Sequence, residues 1–261
     1  MAKPQDNHSV PPLIELVGAS IASAQEPDVA LVEGVDWRLM PGDFWAVGGL
    51  HWTGKSDWLT TVAGLQRTAA GTHHLFGREA TSLTQTELVA ERLRVGLVFE
   101  NGGRLFTQMT VEENVSLPLR YHRNCPQDEA REAVATVLEL AGLREFAGQN
   151  AGQLNRGWRQ RVALARALIL QPEVLLLDNP LAGLDPRQTR WWLDTLAALN
   201  AGHPAFVGRP LTLVATTDDL RPWQERARQF ALLQGRRWLS LGGRAELAAS
   251  AEPALHEFMT A

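Results

Sequence analysis

The sequence holds a single cysteine, Cys125, and a single tyrosine, Tyr121, in 261 residues. One thiol closes no internal disulfide and builds no metal cluster, so a reducing compartment is expected. No apolar run reaches the ~18 residues that a membrane-spanning helix needs. The start, Met1-Ala2-Lys3-Pro4-Gln5-Asp6-Asn7-His8, lacks the apolar stretch of a secretory signal. A cytoplasmic location is the expectation. Charge of neither sign dominates: 25 Lys and Arg against 29 Asp and Glu leave −4, and bulk charge makes no case for nucleic acid. Internal repeats and low-complexity segments are also lacking. What is present, 45% hydrophobic and 21% charged residues, is an ordinary globular composition with room for one large domain or two small ones. Nine tryptophans follow from none of these patterns.

Residues 1–12 read as a loose tail punctuated by Pro4, Pro11 and Pro12. Short apolar runs then alternate with turn signals: Leu13 to Val17, Ala30 to Leu39 and Phe44 to Val47, with Pro41-Gly42-Asp43 as a turn. A helix is predicted from Gly54 to Leu65 and a strand from Val95 to Phe99. Ala130, Val134, Val137, Leu138 and Ala141 share one helical face that ends at Gly142. Ala163 to Leu170 reads as helix, broken by Pro172. Val174 to Leu177 is an unbroken apolar run, the pattern of a strand buried on both faces. Leu211 to Ala215 and Phe230 to Leu233 complete the strands. Strands alternating with helices predict an α/β fold, interrupted near its middle by a helical insertion.

Gly49-Leu50-His51-Trp52-Thr53-Gly54-Lys55-Ser56 fits the phosphate-loop pattern of two glycines followed by Lys and Ser, between a predicted strand and a predicted helix. Backbone N–H groups of such a loop, with the helix N-terminus behind them, cradle phosphates. Lys55 would reach the β- and γ-phosphates and Ser56 would bind Mg²⁺. The alternative is a chance glycine turn. Against it stands Asp178, at the tip of the buried run Val174 to Leu177, where ligands bind in open α/β sheets. Asp178 would hold Mg²⁺ through water; the plainer reading is a turn aspartate ahead of Asn179 and Pro180.

Leu154-Asn155-Arg156-Gly157-Trp158-Arg159-Gln160-Arg161 and on to Ala167 resembles the signature segment of ABC-type ATPases, and Pro180-Leu181-Ala182-Gly183-Leu184-Asp185-Pro186 resembles the D-loop that follows it. The likeness runs from about Leu13 to the end. Within the family, Gly103 to Thr107, Asn114-Val115, Pro118 to His122 and Leu255 to Phe258 look most like the Mla/Mce-type lipid transport ATPases. The resemblance implies a P-loop NTPase (RecA-like) core with an antiparallel β portion near the N-terminus. One ATP-binding domain over 13–261 is expected, with lobes at 13–100 and 165–261 and a helical subdomain at 101–164. It further implies ATP and Mg²⁺ as cofactors, held between the phosphate loop of one chain and the signature residues Asn155, Arg156 and Gly157 and D-loop Asp185 of a second ATP-binding subunit. Integral membrane permease subunits would dock near residues 100–122, on the cytoplasmic face of the inner membrane. A soluble relative acting on nucleic acid would usually carry two cassettes, and this chain has one.

The departures from the family pattern bear on activity. The glutamate expected after Asp178 as general base is Asn179, the switch histidine is Thr217, and the glutamine after Val98-Phe99 is Glu100. Glu100 is a candidate Mg²⁺ ligand or a source of repulsion for phosphate. The signature serine is Asn155 and its first glycine is Arg156; a loop glycine is Trp52, and Asp57 replaces a second hydroxyl. No aromatic stands between Ile21 and Val29 to stack on adenine. Lacking an intact base set and an intact signature in one chain leaves neither composite site complete, even beside an intact partner. The expectation is therefore an ATP-binding transporter subunit with slow or lost hydrolysis, or a structural or regulatory subunit that does not hydrolyse ATP at all.

Overall fold

The computed structural model describes residues 10–253 and 255–259; of the tail expected at 1–12, residues 1–9 lie outside the described residues. In chain order the elements are β1 (Ile14–Ala22), β2 (Ala30–Leu39), β3 (Phe44–Gly48), α1 (Lys55–Val62), β4 (Ala70–Leu75), β5 (Arg78–Glu79) and α2 (Gln85–Arg92). Then come β6 (Val95–Val98), α3 (Val111–His122), α4 (Gln127–Leu140), α5 (Arg156–Leu168), β7 (Val174–Leu177) and α6 (Pro186–Gly202). The chain continues through β8 (Thr212–Thr217), β9 (Gln229–Gln234), β10 (Arg237–Gly242), α7 (Arg244–Ala249) and α8 (Leu255–Met259).

The ten strands order as β5-β4-β1-β2-β10-β9-β3-β8-β7-β6. Four neighbours, β9, β3, β8 and β7, pair in parallel with β6 closing the row, and every residue of β3, β7 and β8 is buried. Burial on both faces explains their unbroken apolar runs. β1, by contrast, pairs antiparallel with β2 and β4, so the N-terminal part of the sheet is the antiparallel portion. Alternation along the central strands divides the core in two. Phe44, Ala46, Leu175, Leu177 and Leu213 join the side that receives α3, α4, α5 and α6. Trp45, Val47, Val174, Leu176 and Val214 join the side that receives α1 and β1.

Trp37 (β2), Trp45 (β3), Trp58 (α1) and Trp238 (β10) meet in that second core. Trp58 stacks on Trp238 at 5.1 Å between ring centroids, and Trp37 meets Trp58 edge-on at 5.0 Å. Four of the nine tryptophans thus fill one layer under the α1 helix, a use of wide rings that composition does not reveal.

Local chemistry sets the helix starts. Thr110 and Glu113 form a reciprocal capping box at α3, and Asn155 caps α5, its side-chain oxygen accepting from Trp158 N at 3.1 Å. That cap starts α5 seven residues before the predicted Ala163, because Arg156 to Val162 carries no strong apolar period to betray it. Helices α2, α3 and α6 were not expected from periodicity alone; α3 even carries Pro118 internally. No helix among the described residues is long and apolar enough to cross a membrane.

One strained position offers a test of the backbone. Val207 follows the short turn Pro204–Phe206 with φ 54° and ψ 34°, and it is 90% exposed. A β-branched residue in the left-handed region costs roughly 1–2 kcal/mol, and no packing offsets it here. Val207→Gly is expected to gain about 0.5–1 kcal/mol after the extra chain entropy of glycine is subtracted. A raised urea midpoint at unchanged slope reads the gain; a lowered midpoint would refute it.

Candidate functional site

β3 delivers the chain into the loop that opens α1, and the loop geometry demands its glycines. A Cβ on Gly49 would sit 2.6 Å from Thr53 Oγ1 and 2.8 Å from Lys55 Cγ. Gly54 has φ +85°, and a Cβ there would sit 2.9 Å from Leu31 Cβ. Between them Trp52 also adopts a positive φ, 68°, and its side chain is 98% exposed. Lys55 curls back over the loop, its ammonium donating to Gly49 O and, at 3.1 Å, to Leu50 O. Burial lowers the Lys55 pKa, an effect opposed by the nearby carboxylates of Asp218, Asp178 and Glu100.

The next residue reaches the sheet. Ser56 Oγ donates to Asp178 Oδ2 at 2.6 Å, and Thr216 Oγ1 donates to Asp178 Oδ1 at 2.9 Å. Thr216 Oγ1 in turn accepts from Asn179 N at 3.1 Å. Asp178 follows β7 and Thr216 belongs to its parallel neighbour β8, so adjacent strand tips bring these groups together. Thr216 was not singled out from the sequence; a hydroxyl near the end of a neighbouring buried strand was the available signal. Asp218, just past that strand and close enough to act on Lys55, was not singled out either.

Lys55, Ser56 and Asp178 open onto a cavity of ≈ 220 Å³ lined by residues 50–57 with Glu100, Asp178 and Asn179. Of the expected site residues, Leu50, His51, Trp52, Thr53, Gly54, Lys55, Ser56, Asp57, Glu100, Asp178 and Asn179 therefore line one cavity, and Gly49 precedes them without lining it. Asp57 also has a structural partner, its Oδ1 accepting from Ala24 N at 2.7 Å, which ties α1 to the end of β1. Asn179 holds φ 44°, and its side-chain oxygen is buried without a hydrogen-bond partner. Thr217 does not line the cavity. Its hydroxyl donates to Asp219 O at 2.8 Å and accepts from Asp219 N at 3.1 Å, closing the turn after β8.

The residues around the starts of α5 and α6 lie apart from the cavity. Asp185 caps α6, accepting from Arg187 N and Gln188 N at 2.9 Å each, bonds that hold its carboxyl below the usual range. The Gln188 side-chain amide lies against Gly157, so the start of α5 meets the first turn of α6 there. Arg156 alone reaches back: its Nη2 stands 3.6 Å from Glu100 Oε1.

The loop suits a phosphate chain: its glycines let it pack against Leu31 and fold under Thr53 and Lys55, and a helix N-terminus stands behind it. The Ser56 hydroxyl and Asp178 carboxylate, touching across the loop, are hard oxygen donors of the kind Mg²⁺ takes when phosphates supply its other ligands.

The ABC transporter family model matches residues 32–182. The methionine import ATP-binding protein MetN of Brucella abortus is 37% identical over 174 residues, covering 67% of this chain and 47% of that protein. This chain thus spans about half the length of that relative. A probable anion import ATP-binding protein of Haloferax volcanii is 33% identical over 220 residues, covering 80% of this chain and 73% of its own. Among solved structures, cbiO1 of Clostridium perfringens, part of the transporter complex cbiONQ, shares the fold with TM-score 0.78 at 21% identity, covering 93% of each chain. The ATP-binding cassette MJ0796, seen as a dimer bound to ADP and Pi, superposes with TM-score 0.76 at 26% identity, covering 88% of this chain and 99% of its own. With the glycine loop, Lys55, Ser56 and Asp178 assembled as one site inside the matched span, the chain belongs to the ABC transporter family, as an ATP-binding cassette.

Proposed function

We propose that the chain binds Mg-ATP at the loop 49–56 and serves as an ATP-binding subunit of a membrane ABC transporter, with slow or lost hydrolysis. The observation that carries the reading is Ser56 Oγ against Asp178 Oδ2, 2.6 Å apart at the mouth of the glycine cradle. In this reading Lys55 releases its loop carbonyls to meet the β- and γ-phosphates. Ser56 and Asp178 hold the magnesium ion, which neutralises phosphate charge when bound, and Thr216 fixes the Asp178 carboxylate. Glu100, expected as a further ion ligand, instead faces a guanidinium, its Oε1 standing 3.6 Å from Arg156 Nη2. A second cassette, identical or different, would contribute its own signature to close the nucleotide in, while Asn155, Arg156, Gly157 and Asp185 of this chain would face the partner's site. Permease subunits at the cytoplasmic face of the membrane would complete the assembly. The two curated relatives are named for methionine and anion import. The lipid reading rests on short segments around residues 103–122 and 255–258, and the permeases would select the cargo.

Mg-ATP binding to the intact chain, followed by titration calorimetry, tests the site. Lys55→Ala is expected to weaken binding about 10- to 100-fold, the loss of charge-assisted hydrogen bonds to phosphate. Equal affinity in the two proteins would place the nucleotide elsewhere.

A second reading has its own observation. With the Thr217 hydroxyl turned into the Asp219 turn and an amide at Asn179, neither residue offers a proton acceptor to an attacking water. A regulatory or structural subunit that binds nucleotide without turnover is consistent with that geometry.

A further inference from the structure

The cavity wall carries three carboxylates, Asp57, Glu100 and Asp178, against one ammonium, Lys55. Such a balance disfavours a polyanionic ligand unless the negative charge is offset. Asp57 accepts from Ala24 N and Asp178 from Ser56 and Thr216, neutral donors that fix both carboxylates without cancelling their charge, and Asp178 would meet the magnesium ion. Glu100 is left, and the charge that faces it comes from the first residue of α5: Arg156 Nη2 at 3.6 Å from Oε1, each side chain 39% exposed.

Packed backbone puts the two there. Gly102 has φ +81°, and a Cβ on it would lie 2.8 Å from Arg159 O, so the loop after β6 is pressed onto the first turn of α5. On its other side the guanidinium abuts the loop before α6, with Nη1 2.9 Å from where a Gly183 Cβ would stand. Arg156 Nε and Nη2 are buried with no hydrogen-bond partner, which leaves Glu100 as the ionic neighbour of a wedged cation.

Resting on the Mg-ATP reading, we propose that Arg156 is a positioning residue acting within its own chain: paired with Glu100, it turns a bare carboxylate on the wall of the nucleotide cavity into a neutral pair. The two departures from the family pattern, a glutamine replaced by Glu100 and a glycine replaced by Arg156, are then one compensated change. A half-exposed ion pair adds little to stability. Its effect is on the charge that the incoming triphosphate meets.

The test is a double-mutant cycle on Mg-ATP affinity with the full chain. Arg156→Ala is expected to weaken binding about tenfold at low salt, and less at high salt, where the exposed carboxylate is screened. Glu100→Gln binds at least as well as the unaltered chain. The double variant, Arg156→Ala with Glu100→Gln, recovers the affinity of Glu100→Gln, and Arg156→Lys keeps most of it. A double variant as weak as Arg156→Ala alone would overturn the pairing, showing that Arg156 contacts nucleotide directly or merely supports the fold. So would an Arg156→Ala affinity equal to that of the unaltered chain. If the unaltered chain binds no Mg-ATP, and Lys55→Ala therefore changes nothing, the nucleotide reading falls and this inference with it.

Discussion

Replacing Asn179 by Glu and Thr217 by His together is expected to raise steady-state Mg-ATP hydrolysis about 10²-fold over the unaltered chain. General-base assistance contributes roughly 10²–10⁴ in rate, and the low end applies because Arg156 and Glu100 still depart from the family pattern in a set of residues that acts as a unit. The position suits a base. Asn179 is 3% exposed, and burial raises the pKa of a carboxyl toward the neutral range where a general base works best. The amide oxygen it replaces has no hydrogen-bond partner, so the exchange breaks no bond there. The cost is backbone strain: φ is 44° at Asn179, a region that asparagine tolerates and glutamate enters at about 1 kcal/mol. Thr217→His also removes the hydroxyl that closes the turn at Asp219, for a further loss of about 1 kcal/mol in stability. Phosphate release in a coupled assay reads the rate, and nucleotide affinity measured alongside shows that the site survives. A double variant no faster than its parent would mean that the missing base and switch do not limit turnover. A parent already turning over at about 1–10³ s⁻¹, ordinary for enzymes, would mean that another group has taken the proton.

The candidate nucleotide site is legible in the sequence to the extent that it is local. Residues 49–56 are consecutive, and a glycine loop ahead of a helix has few other uses, so Lys55 and Ser56 were identified from eight residues. Asp178 followed from the apolar run before it, because a strand buried on both faces must end where its sheet meets solvent. The meeting of Ser56 with Asp178, 122 positions away, was implied by the family pattern and not by spacing. Thr217 illustrates the limit: its place in the sequence suggested a group facing phosphate, whereas a tight turn two residues long claims its hydroxyl. Arg156 and Glu100 were each noticed as departures, yet their pairing depends on how the loop after β6 lies against α5, which no periodicity encodes. Helix α3 lies within the helical subdomain that the family resemblance implies at 101–164, but neither it nor α6 is marked by apolar periodicity. Their starts are set by side-chain caps at Thr110 and Asp185, and caps are single residues in a sequence full of Thr and Asp.

The tryptophans are the other part that sequence left unexplained, and their placement leads to the largest stability effect expected of any single change considered. Trp58 is fully buried one turn after Lys55, against Trp37 and Trp238. Trp58→Ala is expected to cost about 3–5 kcal/mol, from lost burial and from a cavity that three rings on separate strands are slow to close. Against a typical stability of roughly 5–15 kcal/mol the loss is severe. One term runs the other way: Trp58 Nε1 is buried with no hydrogen-bond partner, and deleting an orphaned donor returns part of the cost. Trp58→Phe separates the terms, since it keeps an aromatic ring in the stack and removes the orphaned N–H, and a loss under about 1.5 kcal/mol is expected for it. Urea unfolding of the two variants reads both values. An alanine variant losing less than about 1 kcal/mol would show that the layer collapses around the gap, and that the four rings are not what holds α1 to the sheet. If the full cost is found, the position of Lys55 is set from behind as well as by its loop: the helix that presents the cradle is clamped one turn further on by aromatic contacts from β2 and β10, both outside the parallel core that carries Asp178.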